Sequence, residues 1–212
     1  MKTAIVTTCH LDNEDYYLKT KKFIDYYETF CKDLRSDTIF LIDNASSKEN
    51  RDKMIENYYF IQIVEFKDFL GRESHLSYPY LWRAVYHLKE LLNDYDKIIY
   101  MDNDFYITSS KLANFINNLE TGWTTLWCPK HQFPETGIHI LMKDCKEYQD
   151  FVKSGDFMEH NGRTMETALP VTKVEKSFKG DRWSEYQSAT EIPNGSDFSA
   201  QTPLNWEVKY ND

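Results

Sequence analysis

The sequence predicts an open α/β fold: a mostly parallel twisted sheet flanked by helices, continuing into a mixed-sheet half. Three observations lead there. Short apolar runs at Thr3–Cys9, Thr38–Ile42, Phe60–Val64 and Ile98–Met101 alternate with segments of helical periodicity, the β-α-β-α-β-α-β order of a parallel sheet. The runs are uncharged, as expected of strands buried on both faces. Polar residues close them at the carboxyl end, where open α/β sheets bind ligands.

Taken in order, Thr3–Cys9 is a β-branched strand followed by a polar turn. Tyr16, Phe23, Tyr27, Phe30 and Leu34 then recur at helical spacing and form one apolar stripe. The strand Thr38–Ile42 ends at Asp43, Asn44–Ser47 supplies a turn with an N-cap, and 48–58 forms a short polar helix. After the strand Phe60–Val64 comes a polar loop, 72–77. A helix opening on Pro79 follows, with Trp82, Val85, Leu88 and Leu92 on one side. Beyond Asp104 the alternation loosens. Lys111–Leu119 and Asp144–Val152 read as helices, and Trp123–Cys128 and Gly137–Met142 as strands of a mixed or antiparallel sheet. From Gly155 onward, glycines and prolines punctuate short segments suited to loops over a cleft.

Chemistry concentrates where Ile98–Met101 ends in Asp102-Asn103-Asp104. Two carboxylates one residue apart, aimed into a crevice by the abrupt end of a buried strand, are hard oxygen ligands for a divalent cation. Asp94-Tyr95-Asp96 repeats the spacing, but it lies in a polar turn with no buried run leading into it.

The chain has 212 residues and a net charge of -9, which predicts one domain, 1–212, and argues against a nucleic-acid partner. The same charge leaves a divalent cation as the natural means of holding an anionic substrate. Cys9, Cys31, Cys128 and Cys145 show no C-x-x-C spacing, against both a zinc site and a disulfide framework, and point to a cytoplasmic location. The apolar start, residues 1–6, is too short for a signal or a membrane span, so no membrane insertion is expected. Oligomeric state is not legible. The G-x-G, G-x-x-x-x-G-K, G-x-S-x-G and H-E-x-x-H patterns are all missing, which excludes Rossmann dehydrogenases, P-loop ATPases, serine hydrolases of the nucleophile-elbow type and zincins.

With these residues placed, the sequence resembles the GT-A-fold glycosyltransferases. Val6-Thr7-Thr8 looks like their first strand, and Leu41-Ile42-Asp43-Asn44-Ala45-Ser46 is similar to the V-D-N-G-S turn closing their second. Tyr80-Leu81-Trp82-Arg83, an apolar helix and Ile99-Tyr100-Met101-Asp102-Asn103-Asp104 look like the helix and D-x-D strand of retaining galactosyl, xylosyl and mannosyl transferases. Glu135-Thr136-Gly137-Ile138 resembles their N-x-G-x acceptor strand, with Thr136 departing from the pattern, and 181–187 falls at their aspartate-glutamine pair. The chain's brevity also resembles glycosyltransferase domains of large algal viruses, which would place it in a host cytoplasm.

The resemblance implies a Rossmann-like nucleotide-sugar half, 1–107, and an acceptor half, 108–212. It implies a UDP-sugar donor, a glycan or glycoprotein acceptor, and Mn2+ or Mg2+ as cofactor. Asp104 would bind the metal, with Asp102 on the ribose or the metal's water shell and His160 as a third ligand. Thr7 and Thr8 would hold the nucleoside by backbone contacts, Asp43 would accept a hydrogen bond from uracil or ribose, Asn103 belongs to the same nucleotide-sugar set, and Arg72 and Arg83 would meet the diphosphate or donor sugar. For Arg83 a structural ion pair is the competing role. Asp181 and Glu135 are the candidate catalytic carboxylates, and Thr136, Gly137 and Trp183 the acceptor side, with retaining and inverting outcomes both open. Two rivals remain. One is a D-x-D phosphatase of the haloacid dehalogenase type, although Tyr106 stands where that class has Thr or Val. The other is a nucleotide- or glycan-binding module without turnover.

Overall fold

The computed structural model describes residues 1–29, 33–74 and 78–211. Phe30, Cys31 and the end of the 72–77 loop lie outside the described residues. The first strand, β1 (Thr3–Cys9), leads into α1 (Glu14–Thr29), then β2 (Thr38–Asn44), α2 (Lys48–Asn57), β3 (Ile61–Phe66), α3 (Pro79–Leu91) and β4 (Lys97–Met101). This is the predicted alternation. β1 pairs in parallel with β2 on one side and β4 on the other, and β2 pairs in parallel with β3.

The apolar middles of β1, β2 and β4 are buried because both faces of the sheet are covered there. Ile5, Leu41 and Ile99 pack on one face with Phe23 and Ile24 of α1 and Met54 of α2. Ala4, Val6, Ile98 and Tyr100 pack on the other with Trp82, Val85 and Leu88 of α3. Successive residues thus serve opposite layers, as the strand period of two requires. Ser47 caps α2 by accepting from Asn50 N, and the Asp12 carboxylate accepts from Ser47 N, tying the turn after β1 to the one after β2.

Past β4 come β5 (Tyr106–Ile107), α4 (Ser110–Asn117), β6 (Trp123–Cys128), β7 (Phe133–Met142) and α5 (Lys146–Phe151). β7 runs antiparallel to both β4 and β6, and the seven-stranded sheet has the order β3-β2-β1-β4-β7-β6 with one further strand at its edge. That edge strand is β8 (Lys173–Glu175), preceded by the short α6 (Met165–Ala168). β8 was not expected, since a three-residue strand with charges at both ends has no readable hydrophobic period. β7 also begins four residues earlier than Gly137.

β9 (Gly180–Asp181) and β10 (Phe198–Ser199) join β5 in a separate three-stranded sheet. The chain end then closes over the D-x-D turn. Thr202 N donates to the Asp104 carbonyl at 2.9 Å, and Lys22 Nζ of α1 donates to the carbonyls of Pro203, Leu204 and Trp206. No helix among the described residues is long and apolar enough to cross a membrane.

Candidate active site

A cavity of about 490 Å³ opens at the carboxyl ends of β1 and β4. These adjacent strands lead their chains away in different directions, so a crevice is left between them, as at the switch points of open α/β sheets. Thr8, Cys9 and His10 enter it from β1, Tyr16 and Lys19 from α1, Asn44 from β2, Phe69 to Arg72 from the loop after β3, Tyr78 and Tyr80 from the start of α3, and Asp102 to Asp104 from the end of β4.

Asp102 is held on both sides of its peptide and by one oxygen. Its N–H donates to the Gly137 carbonyl at 2.9 Å, its carbonyl accepts from Phe105 N at 2.9 Å, and the Tyr100 hydroxyl donates to its Oδ1 at 3.1 Å. Gly137 is where a side chain would intrude: a Cβ there would lie 3.1 Å from Glu135 Oε1 and 3.4 Å from Asp102 Oδ2. Asp102, Asp104 and Glu135 therefore share one neighbourhood. Burial, then the charges of Asp104 and Glu135, push the Asp102 carboxyl up to about 7. Burial also raises Asp104, opposed by the Lys19 ammonium 3.3 Å from its Oδ2.

No protein-family model matches the sequence, and no curated protein matches it closely enough to be significant. Solved structures do match. The galactosyltransferase LgtC in complex with donor and acceptor sugar analogues superposes with a TM-score of 0.62 at 14% identity, over 93% of this chain and 86% of that one. An active-site mutant of LgtC gives 0.61 at 12% identity over the same shares. The chain has the GT-A fold.

Within this GT-A fold the predicted residues divide sharply. Thr8, Arg72, Asp102, Asn103 and Asp104 line the cavity. Arg72 lies 4.9 Å over the Tyr78 ring and donates to the Ser74 carbonyl, and Asn103 donates to Thr20 Oγ1 at 3.2 Å. Thr7, fully buried one residue earlier, points the other way along the strand's alternation, and its hydroxyl has no partner among the described residues.

Asp43 corrects the expectation of a nucleoside contact. It is fully buried and accepts from Ser46 N and Ser46 Oγ, with Arg51 Nη1 3.5 Å away, so it braces the turn while its neighbour Asn44 reaches the cavity. Arg83 is likewise structural, though not as an ion pair. It donates to the Asp68 carbonyl at 2.8 Å and to Asn44 Oδ1 at 2.6 Å, and lies 4.3 Å over the Phe66 ring, fixing the loop after β3.

His160 does not line the cavity that Asp104 lines. It is buried against α3, its ring stacked on Phe151 at 4.5 Å and its Nε2 2.8 Å from the Tyr86 hydroxyl. Among the described residues no group of three or more His, Cys, Asp or Glu side chains is assembled to hold a metal.

Asp181 lies outside the cavity lining, as a buried hub: Oδ1 accepts from Lys130 N and Arg182 N at 3.0 and 2.9 Å, and Oδ2 from the Tyr186 hydroxyl at 2.5 Å. It is not the N-cap of the turn at 183–185: that position is Arg182, which makes no side-chain cap bond. Glu135 is paired with Arg182. Thr136 donates to Glu166 at 3.3 Å, and Trp183, half-buried, donates from Nε1 to the Phe198 carbonyl. Of the acceptor-side set, Gly137 bonds Asp102 through its carbonyl.

Sequence reasoning missed Lys19, Tyr80, His10 and Arg182. His10 carried a readable signal, since it directly follows a strand end. Lys19 carried a weaker one, three residues after Tyr16 on the same helix. Tyr16 itself was assigned to the buried stripe, but it is 46% exposed and lines the cavity, and Thr20 takes the buried position.

Proposed function

We propose that the chain is a glycosyltransferase that uses a nucleotide-sugar, a UDP-sugar in the first instance, and a divalent metal. The observation that carries this is the placement of Asp102 and Asp104, which enter a cavity of about 490 Å³ from the end of β4 in a GT-A fold.

The donor set suits Mn2+ or Mg2+: hard carboxylate oxygens with Glu135 behind them, and an Asp102 carboxyl that burial, then the charges of Asp104 and Glu135, push up to about 7. Asp104 and Asp102 would hold the ion, which when bound supplies positive charge to the departing diphosphate. The Tyr100 hydroxyl orients Asp102 for this task. His10 and Phe69, ring centroids 4.8 Å apart, form an aromatic wall suited to a nucleobase. His10 Nδ1 lies 2.9 Å from the Asn44 carbonyl, which can only accept, so Nδ1 carries a proton and the ring is held against the turn after β2. Arg72 on the rim offers a guanidinium to the diphosphate or donor sugar. Glu135 and Asp181, both saturated by structural partners, are not proposed as bases.

The acceptor is a glycan or glycoprotein on the same reading. The phosphatase alternative has no observation in its favour, since the fold match is to a sugar transferase. The binding-module alternative is decided by turnover. Thermal melts with UDP, GDP and CMP, each with Mn2+ or EDTA, should show stabilisation by UDP with Mn2+, because a ligand that binds only the folded state raises its stability. Release of UDP from a panel of UDP-sugars should follow. Equal stabilisation by UDP in Mn2+ and in EDTA would overturn the metal-dependent reading, and binding without release from any sugar would favour the module.

A further inference from the structure

Asp104 already has a cationic partner. Lys19 Nζ reaches it from α1 at 3.3 Å, the two side chains keep 31% and 21% of their exposure, and both line the cavity. Lys22, one helical turn further on, makes an instructive contrast. Its ammonium is committed to three backbone carbonyls of the chain end, at 3.3, 3.1 and 2.6 Å, and its withdrawal would cost all three bonds at once. Lys19 has one carboxylate contact and a flexible stem, so it can leave at little structural cost.

The local charges do not balance. Glu135 is answered by Arg182 and Asp104 by Lys19, while Asp102 has the neutral Tyr100 hydroxyl. A divalent cation arriving at Asp104 meets the ammonium already there, and like charges at a few ångströms in a half-buried site repel strongly. A nucleoside diphosphate entering the same cavity reverses the situation, because its anionic oxygens give the displaced ammonium a new partner.

We propose that Lys19 is an exchangeable counter-ion which holds Asp104 in the metal-free protein and transfers to the diphosphate when metal and nucleotide bind, making the two bind cooperatively. This rests on the glycosyltransferase reading above. Lys19 weakens Mn2+ binding in the absence of nucleotide and strengthens UDP binding in the presence of Mn2+, and by linkage each ligand raises the other's affinity by the same factor.

The test is Mn2+ binding, read from the electron paramagnetic resonance of free Mn2+, with and without saturating UDP. The proteins are wild type, Lys19→Met, Lys19→Gln and Lys19→Arg. Met and Gln are good helix formers at a partly exposed helical position, so folding is preserved, and circular dichroism checks it. Expected are Mn2+ binding about fivefold tighter in the Met and Gln variants without nucleotide, a correspondingly smaller gain on adding UDP, and wild-type coupling in the Arg variant. Unchanged or weaker Mn2+ binding in both neutral variants, or undiminished coupling, overturns the role of Lys19 while leaving the proposed function standing. If neither wild type nor the variants bind Mn2+ or UDP, both the proposed function and this inference fall.

Discussion

The Arg182 guanidinium donates two hydrogen bonds to the Glu135 carboxylate, Nε to Oε2 at 2.9 Å and Nη2 to Oε1 at 3.1 Å. Glu135 Oε1 also accepts from Gly137 N at 2.9 Å, and the Gly137 carbonyl accepts from Asp102 N at the same distance. Arg182 is therefore linked to the D-x-D turn through two residues of β7. Burial works against the guanidinium's charge, but the hydrogen bonds and charge of Glu135 outweigh it and raise its pKa.

Arg182→Met should cost about 3–5 kcal/mol in urea denaturation, because it strands the Glu135 carboxylate in a buried place beside two aspartates. Glu135→Gln combined with Arg182→Met should recover much of that loss. A double variant no better than the single one would show that the guanidinium acts through packing on Phe133, 5.4 Å from its centre, and not through charge.

Asp102 sets a pH dependence. Its folded pKa of about 7 lies above the unfolded value near 4, so the folded state binds the extra proton. Stability is complete below about pH 4 and is lost as pH rises through 7. In EDTA, Asp102→Asn should therefore raise the melting temperature at pH 8, by on the order of 2–4 kcal/mol of stability, and change little at pH 4. A gain that is the same at both pH values would disprove ionisation as the cause.

Asp94→Ala should be nearly silent, whereas Asp104→Ala should abolish Mn2+-dependent nucleotide binding. Asp94 lies in an exposed turn, and Asp104 lines the cavity. Calorimetric titration with UDP in Mn2+ separates them, and like behaviour of the two variants would disqualify the chosen triplet.

Asp181→Asn should lower stability by about 1–2 kcal/mol while leaving UDP and Mn2+ affinity intact. The amide keeps one acceptor for Lys130 N and Arg182 N but presents an NH2 group in place of the oxygen that receives the Tyr186 hydroxyl. Unchanged stability with a reduced transfer rate would instead restore Asp181 to the reaction.

Gly180→Ala tests the small second sheet. A Cβ there would fall 2.1 Å from Phe198 Cδ1, inside the ring packed against Phe105, so the substitution should cost upwards of about 2 kcal/mol. Melting curves indistinguishable from wild type would show that β9 and β10 can separate freely.

The alternation of strands and helices up to β4, the mixed pairing beyond it and the prominence of Asp102 and Asp104 were legible because they are local properties. A buried parallel strand is a short uncharged run, a helix is a period, and a strand end is the point where polarity returns. Those signals lie within ten or so residues of chain, and the backbone geometry of each element follows from them. The C-terminal third carried no such signal: its strands are two or three residues long, and they form where an edge meets them, β8 on β6, β10 on β5 and β9 on β10.

The sequence by itself determined the sheet, its direction at β4 and the carboxylates that leave it. Tertiary structure decided which polar groups are free to act there. Lys19 meets Asp104 across 85 residues, Arg182 meets Glu135 across 47, and Arg83 meets Asn44 across 39. A buried polar side chain takes whichever partner the folded chain brings within about 3 Å, because leaving it unpaired costs more than any local preference. That is why Asp43, Arg83, His160 and Asp181 looked like site residues in the sequence and serve as braces in the fold, while Lys19, an unremarkable helical lysine, stands beside the aspartates.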